Sequence, residues 1–173
     1  MNFLTEFWFP EVGRENSLLE LGCNCGVNLE KLQRRGYKLL SGVETSLAAI
    51  EIFEQNYPGL FANTSVYTGS FEEVLPGLPT DSVDVVFTMA VAMHIHPASN
   101  SLFAEMVRVA KSYVCTVELE TANNTYVFAR SYERVFERLG ARQIRSVILD
   151  RSTDPPVATE NYGYIARLFS VGQ

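Results

Sequence analysis

Short runs of β-branched and apolar residues alternate along the chain with segments of helical period. This alternation is typical of βαβ units, whose strands lie parallel in one sheet with helices on both faces. It predicts an α/β fold, a three-layer sandwich around a mostly parallel seven-stranded sheet. The predicted strands are Ser17–Leu21, Lys38–Glu44, Ser65–Gly69, Val83–Met89, Tyr113–Leu119, Gln143–Leu149 and Tyr164–Val171.

Four segments between these strands carry helical signals. The first, Val27–Arg35, places Leu29 and Leu32 on one face and stops at Gly36, the residue type that most often ends a helix. Ser46 is a suitable N-cap for the second helix. The apolar residues expected to face the core from the other three helices are Leu47, Ile50 and Phe53; Leu102, Phe103, Met106, Val107 and Ala110; and Tyr132, Val135, Phe136 and Leu139.

The last two predicted strands are joined by a loop from Asp150 to Gly163. That loop is too short for a crossover helix, so the two strands should pair antiparallel or through a third strand. An antiparallel strand at the C-terminal end of a parallel sheet separates this pattern from an ordinary dinucleotide-binding domain.

Length and composition favour one domain, residues 1–173, because 173 residues with a hydrophobic fraction of 47% fill one core. The net charge of −6 gives no electrostatic footprint for a nucleic acid. No apolar run approaches the roughly 20 residues that span a bilayer. An odd count of three cysteines suggests a reducing compartment. We therefore expect a cytoplasmic protein with neither a nucleic acid nor a membrane as partner.

An N-terminal aromatic flap, residues 1–16, precedes the core of the domain, residues 17–173. It contains Phe3, Phe7, Trp8 and Phe9 but no basic leader, so it is not expected to be a signal peptide. Such aromatic residues most often belong to a core, and a lid is the alternative. As a lid, the flap would enclose a pocket together with the loops 91–100, 119–125 and 151–163.

The stretch Leu18–Leu29 runs from an apolar strand through a tight loop into a helix, which is the arrangement of a ligand-binding turn. Gly22 and Gly26 allow the backbone to approach a ligand closely. A dinucleotide fingerprint, G-x-G-x-x-G, would need glycines where this chain has Asn24 and Val27. The turn is therefore not expected to hold a pyrophosphate.

Two carboxylates flank this turn. Glu20 would repel a pyrophosphate but would attract a ligand that carries an ammonium and a sulfonium group. Glu44 ends the second predicted strand, where an acidic side chain accepts both hydroxyls of a ribose. Taken alone, Glu44 could equally be a charge that favours the start of the next helix.

The stretch Glu20-Leu21-Gly22-Cys23-Asn24-Cys25-Gly26 resembles the first motif, Asp/Glu-x-G-x-G-x-G, of the class I S-adenosylmethionine-dependent methyltransferases. The resemblance extends over most of the chain, through Glu44, the turn Gly69–Glu72 and the strand Asp84–Met89. It implies a Rossmann-like fold, S-adenosylmethionine as cofactor and S-adenosylhomocysteine as product. The residues implied to contact the cofactor are Glu20, Gly22, Cys23, Asn24, Gly26, Glu44, Thr45, Ser70, Phe71, Glu72 and Met89.

Two positions depart from the family motif. Asn24 replaces the middle glycine, but asparagine tolerates left-handed backbone better than most residues. Ser70 stands where many relatives carry an acidic residue for the adenine amino group, and either Glu72 or the backbone of Phe71 would take over that contact. The short form E-L-G-C-N-x-G-x-N-L, with a later H-I-H-P turn, is similar to methylases of sugar and polysaccharide biosynthesis.

His94 and His96 follow the fourth predicted strand, at the same sheet edge as the turn. Histidine changes charge near neutral pH, so His94 is the first candidate for a catalytic base and His96 the second. The alternative is a pair of hydrogen-bonded loop histidines. Cys23 and Cys25 are not expected to bind a metal, because zinc sites need four suitably spaced ligands.

The expected function is methyl transfer from S-adenosylmethionine to an oxygen or nitrogen of a small-molecule or saccharide-like acceptor. The main alternative is a non-catalytic module that keeps the fold, binds the cofactor or a partner protein, and transfers no methyl group. A dehydrogenase is a third interpretation, which the missing dinucleotide fingerprint disfavours.

Overall fold

The computed structural model describes residues 7–8, 11–121, 125–149 and 163–172. No helix within these ranges is long and apolar enough to cross a membrane. The strands are β1 (Leu18–Leu21), β2 (Leu40–Glu44), β3 (Ser65–Thr68), β4 (Val83–Met89), β5 (Ala110–Leu119), β6 (Arg142–Ile148) and β7 (Tyr164–Ser170). The helices are α1 (Val27–Arg34), α2 (Leu47–Asn56), α3 (Pro58–Phe61), α4 (Phe71–Val74), α5 (Ser101–Val109) and α6 (Tyr132–Arg138), with 3₁₀ turns at Leu75–Gly77, Ala92–His94 and Pro97–Ser99.

All seven strands join one sheet in the order β3-β2-β1-β4-β5-β7-β6. The strands from β1 to β5 pair parallel, and β7 pairs antiparallel with both β5 and β6. The prediction of a mostly parallel seven-stranded sheet with an antiparallel C-terminal strand is confirmed. The order reverses at β1, which lies between β2 and β4, and ligands bind at such points in open α/β sheets.

The sheet buries apolar side chains on both faces, because successive residues of a strand point to opposite sides. One face has Leu18, Val85 and Phe87 of the sheet with Leu29, Leu32 and Phe53 of the helices. The other has Leu19, Leu21 and Val86 with Phe103, Met106 and Phe136. These two layers of helices make the predicted three-layer sandwich.

Two sequence predictions at helices need correction. Ala110 does not extend the helical face of α5, which ends at Val109; it begins β5 instead. Helix α2 begins after Ser46, whose hydroxyl accepts from the Ala49 N–H as predicted, but Leu47 is 65% exposed and Phe53 is the buried residue of that helix. Its apolar face is therefore narrower than its sequence indicates.

The two described aromatic residues of the flap belong to the core. Trp8 is fully buried, its ring lies edge-on to Phe87 with centroids 5.5 Å apart, and its indole N–H donates to the Tyr37 hydroxyl at 3.2 Å. Phe7 is buried in the same layer. The core interpretation therefore holds for Phe7 and Trp8, whereas Phe3 and Phe9 lie outside the described residues.

Candidate active site

A cavity of about 320 Å³ opens where the carboxyl ends of β1, β2 and β4 meet, at the reversal of strand order. Because parallel strands all point to this edge, the loops that follow them converge there. The lining residues are Gly22, Asn24, Glu44, Thr45, Phe71, Ala90, Val91, His94 and Ile95. Six of the residues predicted to form the site from sequence are among them.

The turn after β1 is built from left-handed backbone. Gly22, Asn24 and Gly26 have φ angles of 75°, 48° and 76°. A side chain at Gly22 would place its Cβ 2.7 Å from Val91 Cγ2, and one at Gly26 would place it 2.3 Å from the Phe53 ring. Both glycines are therefore required by close packing as well as by conformation.

Asn24 takes the left-handed conformation that its position in the motif requires. Its side-chain oxygen accepts from the Cys25 N–H at 2.7 Å, a local hydrogen bond that stabilises this backbone. Its own N–H donates to Glu44 Oε2 at 2.9 Å. The replacement of the middle glycine thus leaves a tight turn that is tied to the end of β2.

Glu44 ends β2 as a half-buried carboxylate on the cavity wall. Besides Asn24, the N–H groups of Thr45 and Ser46 donate to it, both at 2.8 Å and both to Oε1. A carboxylate oxygen can accept two hydrogen bonds, and Oε2 accepts only from Asn24 among the described residues, so Oε2 retains capacity for a hydroxyl donor of a ligand. The backbone of the two turns fixes the carboxylate in place.

Glu20 lies behind the turn, 2% exposed, and does not line the cavity. The Asn28 side-chain amide donates to Oε1 at 2.7 Å, while Oε2 is buried and has no partner among the described residues. Burial raises the pKa of this carboxyl to about 8, with Lys31 opposing the shift and Glu44 adding to it. A buried carboxyl with a free oxygen fits a cationic group, which would satisfy that oxygen and stabilise the ionised form.

Cys23 is a small core residue. Its Sγ packs so closely on Gly42 that a Cβ there would lie 2.6 Å from it, and burial raises the pKa of its thiol to about 12. Met89, at the end of β4, also packs against this core layer. Neither side chain lines the cavity. Among the described residues, no group of three or more His, Cys, Asp and Glu side chains could hold a metal ion.

The turn at Ser70 separates the alternatives for the adenine contact. Ser70 caps α4: its hydroxyl accepts from the Glu73 N–H, and the Glu73 carboxylate accepts in return from the Ser70 N–H. Phe71 lines the cavity, whereas Glu72 is exposed and does not. The structure thus places the Phe71 position, and not the Glu72 side chain, on the cavity wall.

The two histidines have different surroundings. His94 lines the cavity, and its Nδ1 hydrogen-bonds the Tyr126 carbonyl at 2.5 Å. A carbonyl only accepts, so Nδ1 carries the proton and Nε2 is the basic nitrogen of the neutral ring. His96 Nδ1 instead accepts from the Ala98 N–H at 3.2 Å and caps the next 3₁₀ turn. His96 does not line the cavity, so only His94 is placed to act there.

Sequence reasoning did not single out the groups that hold the His94 turn. Glu118, in β5, is fully buried and accepts hydrogen bonds from the N–H groups of Val91 and Met93. Arg130 contacts the same turn from the other side. The sequence did contain a signal for Glu118, because it is a charged residue within an otherwise apolar stretch of β5. A buried charged residue needs polar partners.

Solved structures share this fold at low sequence identity. Geranyl diphosphate C-methyltransferase from Streptomyces coelicolor A3(2), bound to Mg²⁺, geranyl diphosphate and S-adenosylhomocysteine, is 15% identical with a TM-score of 0.76, covering 98% of this chain and 76% of that one. Geranyl diphosphate methyltransferase in complex with S-adenosylmethionine is 16% identical with a TM-score of 0.77, and the match covers 98% of this chain and 83% of that one. A methyltransferase from Aquifex aeolicus is 18% identical with a TM-score of 0.67, and the match covers 96% of this chain and 86% of that one.

The sequence alone also identifies the family. No curated protein matches the chain. A family profile described as a methyltransferase domain, however, matches residues 19–114, which is more than half of the chain and includes the turn after β1, the end of β2 and the His94 turn. The chain belongs to this methyltransferase domain family and is an enzyme of the class I, S-adenosylmethionine-dependent, Rossmann-like type.

Proposed function

We propose that this enzyme transfers a methyl group to an oxygen or nitrogen of a small-molecule or saccharide-like acceptor in the cytoplasm. The observation that carries this proposal is that the glycine-containing turn, Glu44 and His94 all line one cavity. The first two would hold the cofactor, and the third would act as a base beside it.

On the cofactor side, candidate groups for the ribose, the adenine and the ammonium lie on the cavity wall or just behind it. Glu44 would accept the ribose hydroxyls, and the backbone at Gly22 leaves room for a ligand. Phe71 would lie beside the adenine. Glu20, which lies behind the turn with an Oε2 that has no partner among the described residues, would favour the ammonium group of the cofactor through its charge. Bound S-adenosylmethionine supplies a methyl group on a positively charged sulfur, with a neutral thioether as the leaving group.

On the acceptor side, His94 Nε2 would take the proton of an acceptor hydroxyl. The Tyr126 carbonyl supports this role, because in the neutral ring it favours the proton on Nδ1 and so makes Nε2 the nitrogen that can accept a proton. An amine acceptor needs no base when it is already neutral, so a loss of His94 would affect hydroxyl acceptors more.

The lining of the cavity favours an acceptor without a phosphate group. Among the described residues that line it there is no Lys or Arg to pair with a diphosphate of the kind bound in the Streptomyces enzyme. Hydroxyl-rich or amine acceptors need no such partner. The non-catalytic alternative loses its main support, because the family match identifies an enzyme.

The test is methyl transfer by the purified protein to three acceptor sets: monosaccharides and nucleotide-free glycosides, small amines, and geranyl diphosphate. Formation of S-adenosylhomocysteine is the readout. We expect turnover with a hydroxyl or amine acceptor. For a hydroxyl acceptor, His94→Ala should lower kcat about 10²- to 10⁴-fold without changing the Kd for S-adenosylhomocysteine.

His96→Ala is the matched control, since it removes a histidine of the same loop that does not line the cavity. It should keep the wild-type kcat. Turnover only with geranyl diphosphate would overturn the acceptor class. An equal loss of activity in both variants would overturn the role of His94, and no binding of S-adenosylhomocysteine by folded protein would overturn the cofactor site.

A further inference from the structure

The turn that carries His94 is held from beneath by a buried carboxylate. Glu118 is fully buried in β5, and its carboxylate accepts from the Val91 N–H at 3.1 and 3.2 Å and from the Met93 N–H at 3.1 Å. These are N–H groups at the start of the 3₁₀ turn Ala92–His94, which have no acceptor within the turn. Burial raises the pKa of the Glu118 carboxyl above its usual range, and the hydrogen bonds from the turn oppose that shift without reversing it.

The same turn is held at its other end by a guanidinium group. Arg130 donates through Nη1 to the Ala92 carbonyl at 3.2 Å and through Nη2 to the Ile95 carbonyl. Its Nε donates to Asn100 Oδ1 at 3.3 Å, and the guanidinium lies 5.4 Å from the centre of the Phe103 ring. The guanidinium thus donates to carbonyls of the turn, and the Glu118 carboxyl accepts from the N–H groups at the start of the turn.

Two parts of the cavity wall, the cofactor turn at Gly22 and the His94 side chain, depend on this turn. The Val91 side chain lies against Gly22 of the cofactor turn, and three residues later His94 faces the cavity. Two later residues also contact the turn: the Phe128 N–H donates to the Met93 carbonyl at 2.9 Å, and the Tyr126 carbonyl accepts from His94 Nδ1. A shift of the turn would therefore change both the position of the His94 ring and the ring nitrogen that carries the proton.

We propose that Glu118 and Arg130 are positioning residues that fix His94 for methyl transfer by holding the N–H groups and the carbonyls of its turn. The inference rests on the proposed function for the role of His94 in the reaction. The holding of the turn is a property of the protein without cofactor, and it is tested there.

The experiment is NMR of the imidazole nitrogens in protein labelled with ¹⁵N-histidine, for wild type, Glu118→Gln and Arg130→Met. The wild type should show His94 protonated at Nδ1 and His96 in the opposite tautomer. Glutamine offers one acceptor oxygen and presents an NH₂ group to the turn, so Glu118→Gln should average the two His94 tautomers and leave His96 unchanged. Amide exchange at Val91 and Met93 should accelerate about tenfold or more.

Two matched controls separate positioning from a general loss of stability. Asp84 accepts from the Ser17 N–H at 2.8 Å at the opposite edge of the sheet, so Asp84→Asn removes a comparable carboxylate. Arg108 donates to the carbonyls of Leu75 and Leu78, both at 2.8 Å, in a different 3₁₀ turn, so Arg108→Met removes a comparable guanidinium. Both should lower the melting temperature while the His94 signals stay as in the wild type.

Unchanged His94 signals in both Glu118→Gln and Arg130→Met would overturn the proposal, as would equal changes in the two controls. If Glu118→Gln does not fold, Glu118→Asp, which keeps the carboxyl group on a shorter side chain, and Arg130→Met carry the same test. Calorimetry with S-adenosylhomocysteine on the same proteins separates this result from the proposed function. Wild type that shows the expected tautomers but binds no S-adenosylhomocysteine overturns that function alone.

Discussion

The backbone N–H of Asn24 donates to the carboxylate of Glu44 at 2.9 Å, so the turn after β1 and the end of β2 form one unit before any ligand arrives. The N–H groups of Thr45 and Ser46 bind the same carboxylate. Glu44 therefore has two roles, as an acceptor for a ligand and as the group that joins two walls of the cavity.

Glu44→Ala should lower both cofactor affinity and stability. We expect a loss of about 1.5–3 kcal/mol in binding S-adenosylhomocysteine, the usual cost of losing hydrogen bonds to a charged acceptor. The melting temperature of the free protein should also fall, because three N–H groups lose their acceptor. Calorimetry and thermal unfolding measure the two effects. Glu72→Ala, in an exposed residue outside the cavity, is the control, and unchanged affinity in Glu44→Ala would leave Glu44 a structural role only.

The raised pKa of Glu20 leads us to expect that cofactor binding releases a proton. Its pKa is raised to about 8 by burial, so at pH 7 most of the free protein carries the protonated form. An ammonium group at Oε2 would favour the carboxylate, as Lys31 does from a distance, whereas the charge on Glu44 opposes ionisation. Calorimetry with S-adenosylhomocysteine in buffers of different ionisation enthalpy should report close to one proton released. Glu20→Gln should release none, and an equal release would place the titrating group elsewhere.

The same carboxyl predicts how stability changes with pH. Glu20 titrates near pH 4.5 in the unfolded chain and near pH 8 in the folded protein, so between these values the folded state holds a proton that the unfolded state has lost. The contribution to the free energy of unfolding is therefore greatest at low pH and falls as pH rises, by at most about 1.4 kcal/mol per pH unit. Denaturant unfolding from pH 5 to 8 should show a flatter profile for Glu20→Gln than for wild type.

Gly22→Ala should be strongly destabilising and should weaken cofactor binding. The new Cβ would meet Val91 Cγ2 at 2.7 Å and would stand on backbone with a φ of 75°. We expect a loss of about 1–3 kcal/mol in stability. Gly59→Ala, where a Cβ would meet nothing within 4 Å, is the matched control and should be neutral or stabilising. Equal stability of the two variants would contradict the close packing of Val91 on the turn.

Trp8→Ala distinguishes a core role from a lid role for the aromatic flap. Trp8 is fully buried against Phe87 and Tyr37, so its truncation should cost about 3–5 kcal/mol of stability. Trp8→Phe keeps most of the apolar volume, loses the hydrogen bond to Tyr37 and should cost clearly less. A Trp8→Ala protein of wild-type stability with impaired turnover would instead support the lid.

The local pattern of apolar and β-branched residues was sufficient to predict the strands of the sheet. Strands such as Val83–Met89 contain their own signal, a run of β-branched and apolar residues, and the antiparallel last strand follows from a loop too short for a helix. The boundary at Ala110 was wrong because alanine is the strongest helix former, whereas pairing with Val83 across the sheet makes this residue the start of β5.

The sequence predicted those parts of the candidate site whose residues belong to a short local pattern. The turn from Gly22 to Gly26 and the acid at Glu44 are of this kind. The partners of Val91 and Ala92 are not, because Glu118 and Arg130 reach them across 27 and 38 positions. The sequence ranks His94 before His96 but does not show what separates them, which is the backbone group that each Nδ1 contacts.

The place of β7 between β5 and β6 has a consequence for how the chain folds during synthesis. The parallel strands β1 to β5 are complete on the ribosome before β7 exists, and until then β5 presents an open edge along Val114–Val117, four buried residues of the finished protein. An open apolar edge is a template for pairing with other chains. The β6–β7 pair closes it, so the nascent protein is at greatest risk of aggregation just before its final strand emerges.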